Sequence, residues 1–197
     1  MQSLFRARYA DFRPNYDERL AHLQQDGAVG TGRLLADFAE SGHKSLMSLA
    51  NTVTNDRLDS IARGLASARV VHLVGLRRAF AVVSNMAYLF DKLGVPASLH
   101  AGAGMLVSGG SIMPGDVVFA VTFAPFSEET MRLAENAAKR GVTVYGLTDS
   151  GSCPVAEHAA EMLIAREDEV AGFRALTGAI TLTTTLAVAV RAIRQQS

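Results

Sequence analysis

The chain has 197 residues, enough for one ordinary domain with an additional arm, and 49% of them are hydrophobic, which supplies a sizeable core. Its 19 Lys and Arg balance 19 Asp and Glu, so no global basic field marks a nucleic-acid binder and no acidic field marks a basic partner. Cys153 is the single cysteine; an intrachain disulfide is impossible, and a reducing cytoplasm is the compartment that fits.

The opening segment, MQSLFRARYADF, is amphipathic and lacks the apolar core of a signal peptide. Phe5, Tyr9, Phe12, Tyr16, Leu20 and Leu23 recur at spacings of three and four, which predicts one apolar helical stripe. Pro14 kinks or restarts that helix, and Gly27, Gly30 and Gly32 end it. A second helix is predicted from Leu34 to Val53, with Leu34, Leu35, Phe38, Leu46, Leu49 and Val53 inward and Gly42 weakening its middle. Thr54, Asn55 or Asp56 then caps a third helix carrying Leu58, Ile61, Ala62 and Leu65.

From residue 69 the period changes. The run 70–75 (VVHLVG) predicts a fully buried strand. A helix from Arg77 to Leu93, a short strand from Ala97 to His100 and a Gly-rich loop around a short helix, 102–110, follow. Strand 117–123 (VVFAVTF), helix 128–140, strand 142–148 (VTVYGLT), a short helix at 154–158 and strand 161–165 (EMLIA) continue the rhythm. A closing helix spans 173–193. Its run from Ala175 to Val190 is too short and too rich in Thr for a membrane span, and reads as a buried helix or an oligomer interface. Strands alternating with helices of this length imply right-handed crossovers and a parallel α/β sheet covered on both faces.

In such sheets ligands bind at the carboxyl ends of strands, so the three turns there carry the functional reading. The first, Gly75-Leu76-Arg77-Arg78-Ala79, is not a GxGxxG fingerprint, and no GxxxxGK[ST] exists; a nicotinamide cofactor and a P-loop nucleotide are disfavoured. Arg77 and Arg78 are placed to clamp a phosphate or carboxylate; the competing reading has them solvated or paired with an acidic residue. The second turn runs from Thr122 through Phe123, Ala124, Pro125 and Phe126 to Ser127. There Ser127 is an N-cap, and Glu128 and Glu129 suit the first helical turn. The same free N–H groups, with the hydroxyls of Thr122 and Ser127, are able to hold a phosphate. A helix terminus contributes only about 0.3–2 kcal/mol to such a charge, so an arginine is needed as well. The third turn, Thr148 to Ser152, reads as a simple strand stop. His72, inside an apolar strand, reads as a satisfied core histidine; His158 and Cys153 lack metal-ligand spacing. No metal, cofactor or catalytic constellation is expected.

These residues carry a family resemblance. The first turn with Phe80, then Asp116-VVFAVTFAPFSEET with the AAKRG step, then LTDSGSCPVAEHA from Leu147, resemble a sugar isomerase (SIS) domain. More closely, they resemble the effector domain of RpiR-type bacterial transcriptional regulators, from about Leu34 to Ile193. The resemblance implies a five-stranded parallel sheet in a three-layer α/β/α sandwich, dimerisation and a crevice for phosphosugars. It divides the chain into a helical arm and lead-in, 1–66, and an SIS-type α/β domain, 67–197.

Position by position, Gly75 matches the family's first motif, Arg77 replaces its second glycine and Ala79 its serine. In the second motif Thr122 stands for the first serine, Ala124 for the second, Pro125 for glycine and Ser127 for threonine. Two usual phosphate-holding hydroxyls are missing, and the arginines compensate in this reading. The expected ligand-binding residues are Gly75, Arg77, Arg78, Thr122, Phe123, Ala124 and Ser127. The regulators carry a helix-turn-helix domain ahead of the SIS domain, and residues 5–24 resemble the segment that follows it. DNA is therefore expected to be reached only through a reader absent from this chain. The expected function is sensing of an anionic sugar-derived effector by a homodimer, with the closing helix and the N-terminal arm as interface candidates. The alternative is an aldose–ketose isomerase using Glu128, Glu129 or His158 as base.

Overall fold

A computed structural model describes residues 15–25, 30–100 and 110–196. The expected loop at 102–110 and the stripe residues Phe5, Tyr9 and Phe12 lie outside these, apart from Gly110. In chain order the elements are α1 (Tyr16–Gln25), α2 (Thr31–Thr52), α3 (Asn55–Ser67), β1 (Val71–Gly75), α4 (Arg78–Leu93), β2 (Ala97–His100), β3 (Val117–Val121), α5 (Glu128–Lys139), β4 (Thr143–Thr148), a 3-10 turn (Pro154–Glu157), β5 (Glu161–Ile164), β6 (Glu169–Val170), β7 (Phe173–Arg174) and α6 (Thr177–Gln196).

β1 to β5 form one parallel sheet in the order β2-β1-β3-β4-β5, the α/β architecture expected. The strands read as continuous apolar runs because both faces are covered. Val71 and Leu73, Val117, Phe119 and Val121, and Tyr145 and Leu147 face a core filled by Ile61, Ala62 and Leu65 of α3, Val82, Met86 and Phe90 of α4, and Leu182, Leu186 and Val190 of α6. Val74, Val118, Ala120 and Val144 face Leu133, Ala134 and Ala137 of α5. The order of strands reverses between β1 and β3, which makes the carboxyl end of that pair the topological switch point.

Four expectations are corrected. The helix α4 starts at Arg78, with Arg77 outside it at φ 55° and ψ −128°. Strand β3 stops at Val121, because Thr122 and Phe123 turn into the crevice. The closing helix begins at Thr177, because Ala171 and Gly172, both at positive φ (47° and 80°), form a two-residue turn that folds β7 back on β6. In α2 the buried face is Ser41, Gly42 and Ser45, while Leu35 and Leu46 point outward. The cause is close approach: a Cβ at Gly42 would lie 3.2 Å from Thr177 Oγ1, and Ser45 Oγ accepts from the Asp168 N–H at 2.9 Å. Gly42 is therefore a packing contact. Of the three cap candidates for α3, Thr54 serves, accepting from the Arg57 N–H. α6 buries one face in its own chain, including Leu182, Leu186 and Val190, and leaves Val188 exposed (56%); no described helix is long and apolar enough to cross a membrane.

At the amino end of the sheet lies a buried polar chain. His72 is a satisfied core histidine: its Nε2 meets Asp116 Oδ2 at 3.1 Å and its Nδ1 meets His100 Nε2 at 2.9 Å. The Asp116 carboxylate also pairs with Arg69 and accepts from the Met113 N–H at 2.7 Å. Burial pushes this carboxyl upward, but the Met113 N–H, His72 and Arg69 together outweigh it and hold it below the ordinary range. A carboxylate lowered in the folded state contributes stability that is complete above pH about 4 and is lost as pH falls through the lowered value. Asp116→Asn should cost about 2 kcal/mol at pH 7, read from the urea midpoint, and the gap to the parent chain should close as pH falls below about 4.

Candidate functional site

The switch point holds a cavity of about 450 Å³. Its walls come from four places. The first turn gives Leu76, Arg77, Arg78 and Ala79; the second gives Thr122, Phe123, Ala124, Pro125 and Ser127; the β6–β7 hairpin gives Phe173 and Arg174; and Asn15, Tyr16 and Arg19 come from the start of α1. The structure thus brings together six of the seven expected ligand-binding residues. The seventh, Gly75, is buried beneath them, where a Cβ would lie 3.1 Å from Ala79 O and 3.2 Å from Val121 O. Its role is close packing of strand on helix.

The two arginines of the first turn have different surroundings. Arg78 is tied down: Nη2 donates to Asp149 Oδ2 at 3.2 Å, and the guanidinium lies 4.7 Å from the centre of the Phe123 ring. Arg77 is exposed and, among the described residues, its side chain makes no hydrogen bond or close ion pair, while its carbonyl accepts from the Phe80 N–H at 3.1 Å. Its backbone occupies a region that glycine favours. This is the position where the family motif carries its second glycine. A side chain is retained there against a backbone cost of about 1–3 kcal/mol.

The second turn is internally satisfied. The Ser127 N–H donates to Thr122 Oγ1 at 3.0 Å, and the Thr130 N–H donates to Ser127 Oγ at 3.2 Å. The Ser127 hydroxyl donates to Glu129 Oε2 at 2.8 Å. The backbone N–H of Glu129, the Ser127 hydroxyl and the charges of Arg77 and Arg132 hold the Glu129 carboxyl below its usual range. The turn is thus a well-made N-cap. Glu128 pairs with Arg132 on the exposed side of α5. Neither glutamate nor His158 is among the residues lining the cavity.

Two site residues escaped the sequence reading. Asp149, in the turn taken as a strand stop, is buried (side chain 4% exposed) and accepts from Arg78, from Arg174 and, at 2.9 Å, from the Ala124 N–H. Arg174, placed by periodicity inside the closing helix, projects instead from the hairpin. Its side chain is 7% exposed, with Nη1 on Asp149 and Nη2 on Ala124 O at 3.1 Å. The signal for Asp149 was an acidic residue at the carboxyl end of a strand beside two arginines. The signal for Arg174 was the Ala171-Gly172 pair, which breaks a helix before it.

α1 lies over the cavity mouth. Asn15 and Glu18 form a reciprocal cap at its start, each side chain accepting the other's backbone N–H at 2.9 Å. The helix buries no residue fully. The Tyr16 ring centre is 5.9 Å from that of Phe173, and the Arg19 guanidinium stacks on Tyr16 at 4.9 Å.

Arg77→Gly should relieve the backbone strain and raise stability by about 1 kcal/mol, read from urea unfolding. The same variant should bind any anion that occupies the cavity about tenfold more weakly, a loss of about 1.4 kcal/mol, measured by calorimetry.

Residues 64–192 match the model of the SIS domain. A curated relative, an uncharacterized HTH-type transcriptional regulator of Caldanaerobacter subterraneus, is 24% identical over 77% of this chain. The match spans 52% of that relative's length, about half of it. Among solved structures, the sugar isomerase domain of an RpiR transcription factor from Sphaerobacter thermophilus superposes with a TM-score of 0.77 at 20% identity, over 83% of this chain and 93% of that one. The Vibrio vulnificus NanR protein complexed with ManNAc-6P gives 0.75 at 24% identity, over 90% and 67%. Solved structures of suspected phosphosugar isomerases share the fold too, so likeness of fold does not separate sensing from catalysis. The sheet order, the switch-point cavity and the matched model agree: the chain belongs to the SIS domain family.

Proposed function

We propose that this chain is the effector-sensing and dimerisation domain of a transcriptional regulator, working in the cytoplasm, and that its effector is a phosphosugar or related sugar-derived anion. The observation that carries the reading is the cavity lining: Arg19, Arg77, Arg78 and Arg174 all contribute to it, and no carboxylate or imidazole does among the described residues. Such a lining attracts and orients an anion. Among the described residues the nearest carboxylates, Asp149 and Glu129, sit behind the lining and are held by Arg78, Arg174 and Ser127, whereas aldose–ketose isomerisation needs a base within hydrogen-bond reach of the substrate. The ligand-binding set comprises Arg77, Arg78, Thr122, Phe123, Ala124 and Ser127, with Gly75 shaping the turn. The relatives described as HTH-type and RpiR regulators support the regulatory setting, and the NanR complex supports the ligand class. DNA would be engaged through a helix-turn-helix domain, with ligand binding biasing the arrangement of two subunits.

The division into a helical lead-in, 1–66, and an α/β domain, 67–197, belongs to the same proposal. The lead-in offers the contact surface: Leu35 (72% exposed), Leu46 and Met47 (59%) lie outward on α2 and form an apolar face suited to a second copy of the chain.

Two measurements test the proposal. A thermal-shift panel of phosphosugars, inositol phosphates and sugar acids should give at least one ligand that raises the melting temperature by roughly 5–10 °C at a hundredfold excess over its dissociation constant. Arg77→Ala with Arg78→Ala should remove that shift; a panel with no hit contradicts sensing, as does isomerase activity abolished by Glu128→Gln. Light scattering should find a dimer that Leu35→Glu with Leu46→Glu converts to a folded monomer.

A further inference from the structure

The second turn, where the family's motif would seat an anion, has three of its donors committed. Thr122 Oγ1 accepts from the Ser127 N–H, the Ser127 hydroxyl donates to Glu129, the Ala124 N–H donates to Asp149, and Pro125 has no N–H. An anion arriving there must break these bonds and stand beside the Glu129 carboxylate. The cationic part of the lining differs. Arg77 and Arg78 from the first turn and Arg174 from the hairpin all line the cavity, with Arg78 stacked on Phe123 and Arg174 donating to Ala124 O. Arg78 and Arg174 come from residues 96 apart in sequence, and the Asp149 carboxylate holds both. One carboxylate oxygen, Asp149 Oδ2, accepts from both guanidiniums, while Oδ1 accepts from the Ala124 N–H, so the two cations already converge on an oxyanion.

We propose that Arg174 is an oxyanion-binding residue: with Arg77 and Arg78 it holds the anionic group of the ligand by guanidinium contacts, in place of the second turn's hydroxyls and N–H groups, while Asp149 positions the two paired guanidiniums. The inference rests on the effector-sensing reading for the cavity's being a ligand site, and it names the residue. The ligand class is an oxyanion, either the carboxylate of a sugar acid or a phosphomonoester. Arg77 fits the role because it reaches the cavity from a strained backbone and its side chain makes no hydrogen bond or close ion pair among the described residues. Arg174 fits because its side chain is nearly buried yet forms part of the cavity wall. The hairpin also carries Phe173, which touches Tyr16, so Arg174 and α1 meet at the same cavity.

The test is a nuclear magnetic resonance titration of the 15N-labelled chain with inorganic phosphate, then with D-gluconate, at constant ionic strength. The Nε–H signals of Arg77, Arg78 and Arg174 should shift and saturate, and the backbone amides of residues 127–130 should move less. Arg174→Lys, which keeps the charge and removes the fork, should weaken binding at least tenfold with its backbone spectrum otherwise conserved. Asp149→Asn should weaken it comparably, with partial rescue by Asp149→Glu. Binding that leaves the arginine Nε–H signals still while amides 127–130 shift overturns this inference alone, and the wild-type titration decides it even where a variant fails to fold. Arg174→Lys binding within threefold of the parent overturns it as well. Binding of neither probe contradicts both this inference and the sensing reading.

Discussion

The Asp149 carboxylate accepts hydrogen bonds from the first turn through Arg78, from the second turn through the Ala124 N–H, and from the hairpin through Arg174. Three segments distant in sequence are thereby fixed around one buried charge at the switch point. A buried carboxylate is tolerated only when paired and hydrogen-bonded, and here the pairing is what shapes the cavity. The chemistry of the wall follows from it. Two guanidiniums are held in place, that of Arg77 makes no hydrogen bond among the described residues and stands on a strained backbone, and the second turn caps its own helix. The rest of the fold, with apolar strands between α5 on one face and α3, α4 and α6 on the other, supplies the rigid frame.

Much of this was legible from residue patterns. Strands such as 117–121 are continuous apolar runs because both faces of a parallel sheet are buried, and the Ser127 cap is visible in any serine followed by two glutamates. Where patterns failed, tertiary contact overrode local preference. Leu35 and Leu46 have helical spacing but face out, because the part of α2 that approaches Thr177 admits small residues, Ser41, Gly42 and Ser45, while Leu49 and Val53 pack on the core further along. Phe173 and Arg174 continue the apolar pattern of α6, yet the Ala171-Gly172 turn assigns them to a hairpin. Asp149 and Arg174 could not be paired from sequence at all, since nothing local links residue 149 to residue 174 before the chain has folded. The candidate site was thus half visible: the two turns were, and their cross-tie was not.

The departures from the family motif form one pattern. Ala79 and Ala124 lack hydroxyls and Pro125 lacks an N–H, which weakens the turn as an anion cradle. Arg77, Arg78 and Arg174 bring three guanidiniums to the same cavity. The loss and the gain are complementary: hydroxyl and N–H donors give way to cationic ones. That combination fits the anion-sensing role proposed for the cavity.

The central claim is that the cavity reads an oxyanion. The most direct measurement is calorimetric titration of a stabilising ligand in the presence of increasing inorganic phosphate at constant ionic strength. The account predicts one site per chain whose apparent affinity falls steadily as phosphate rises. An affinity indifferent to phosphate would contradict it.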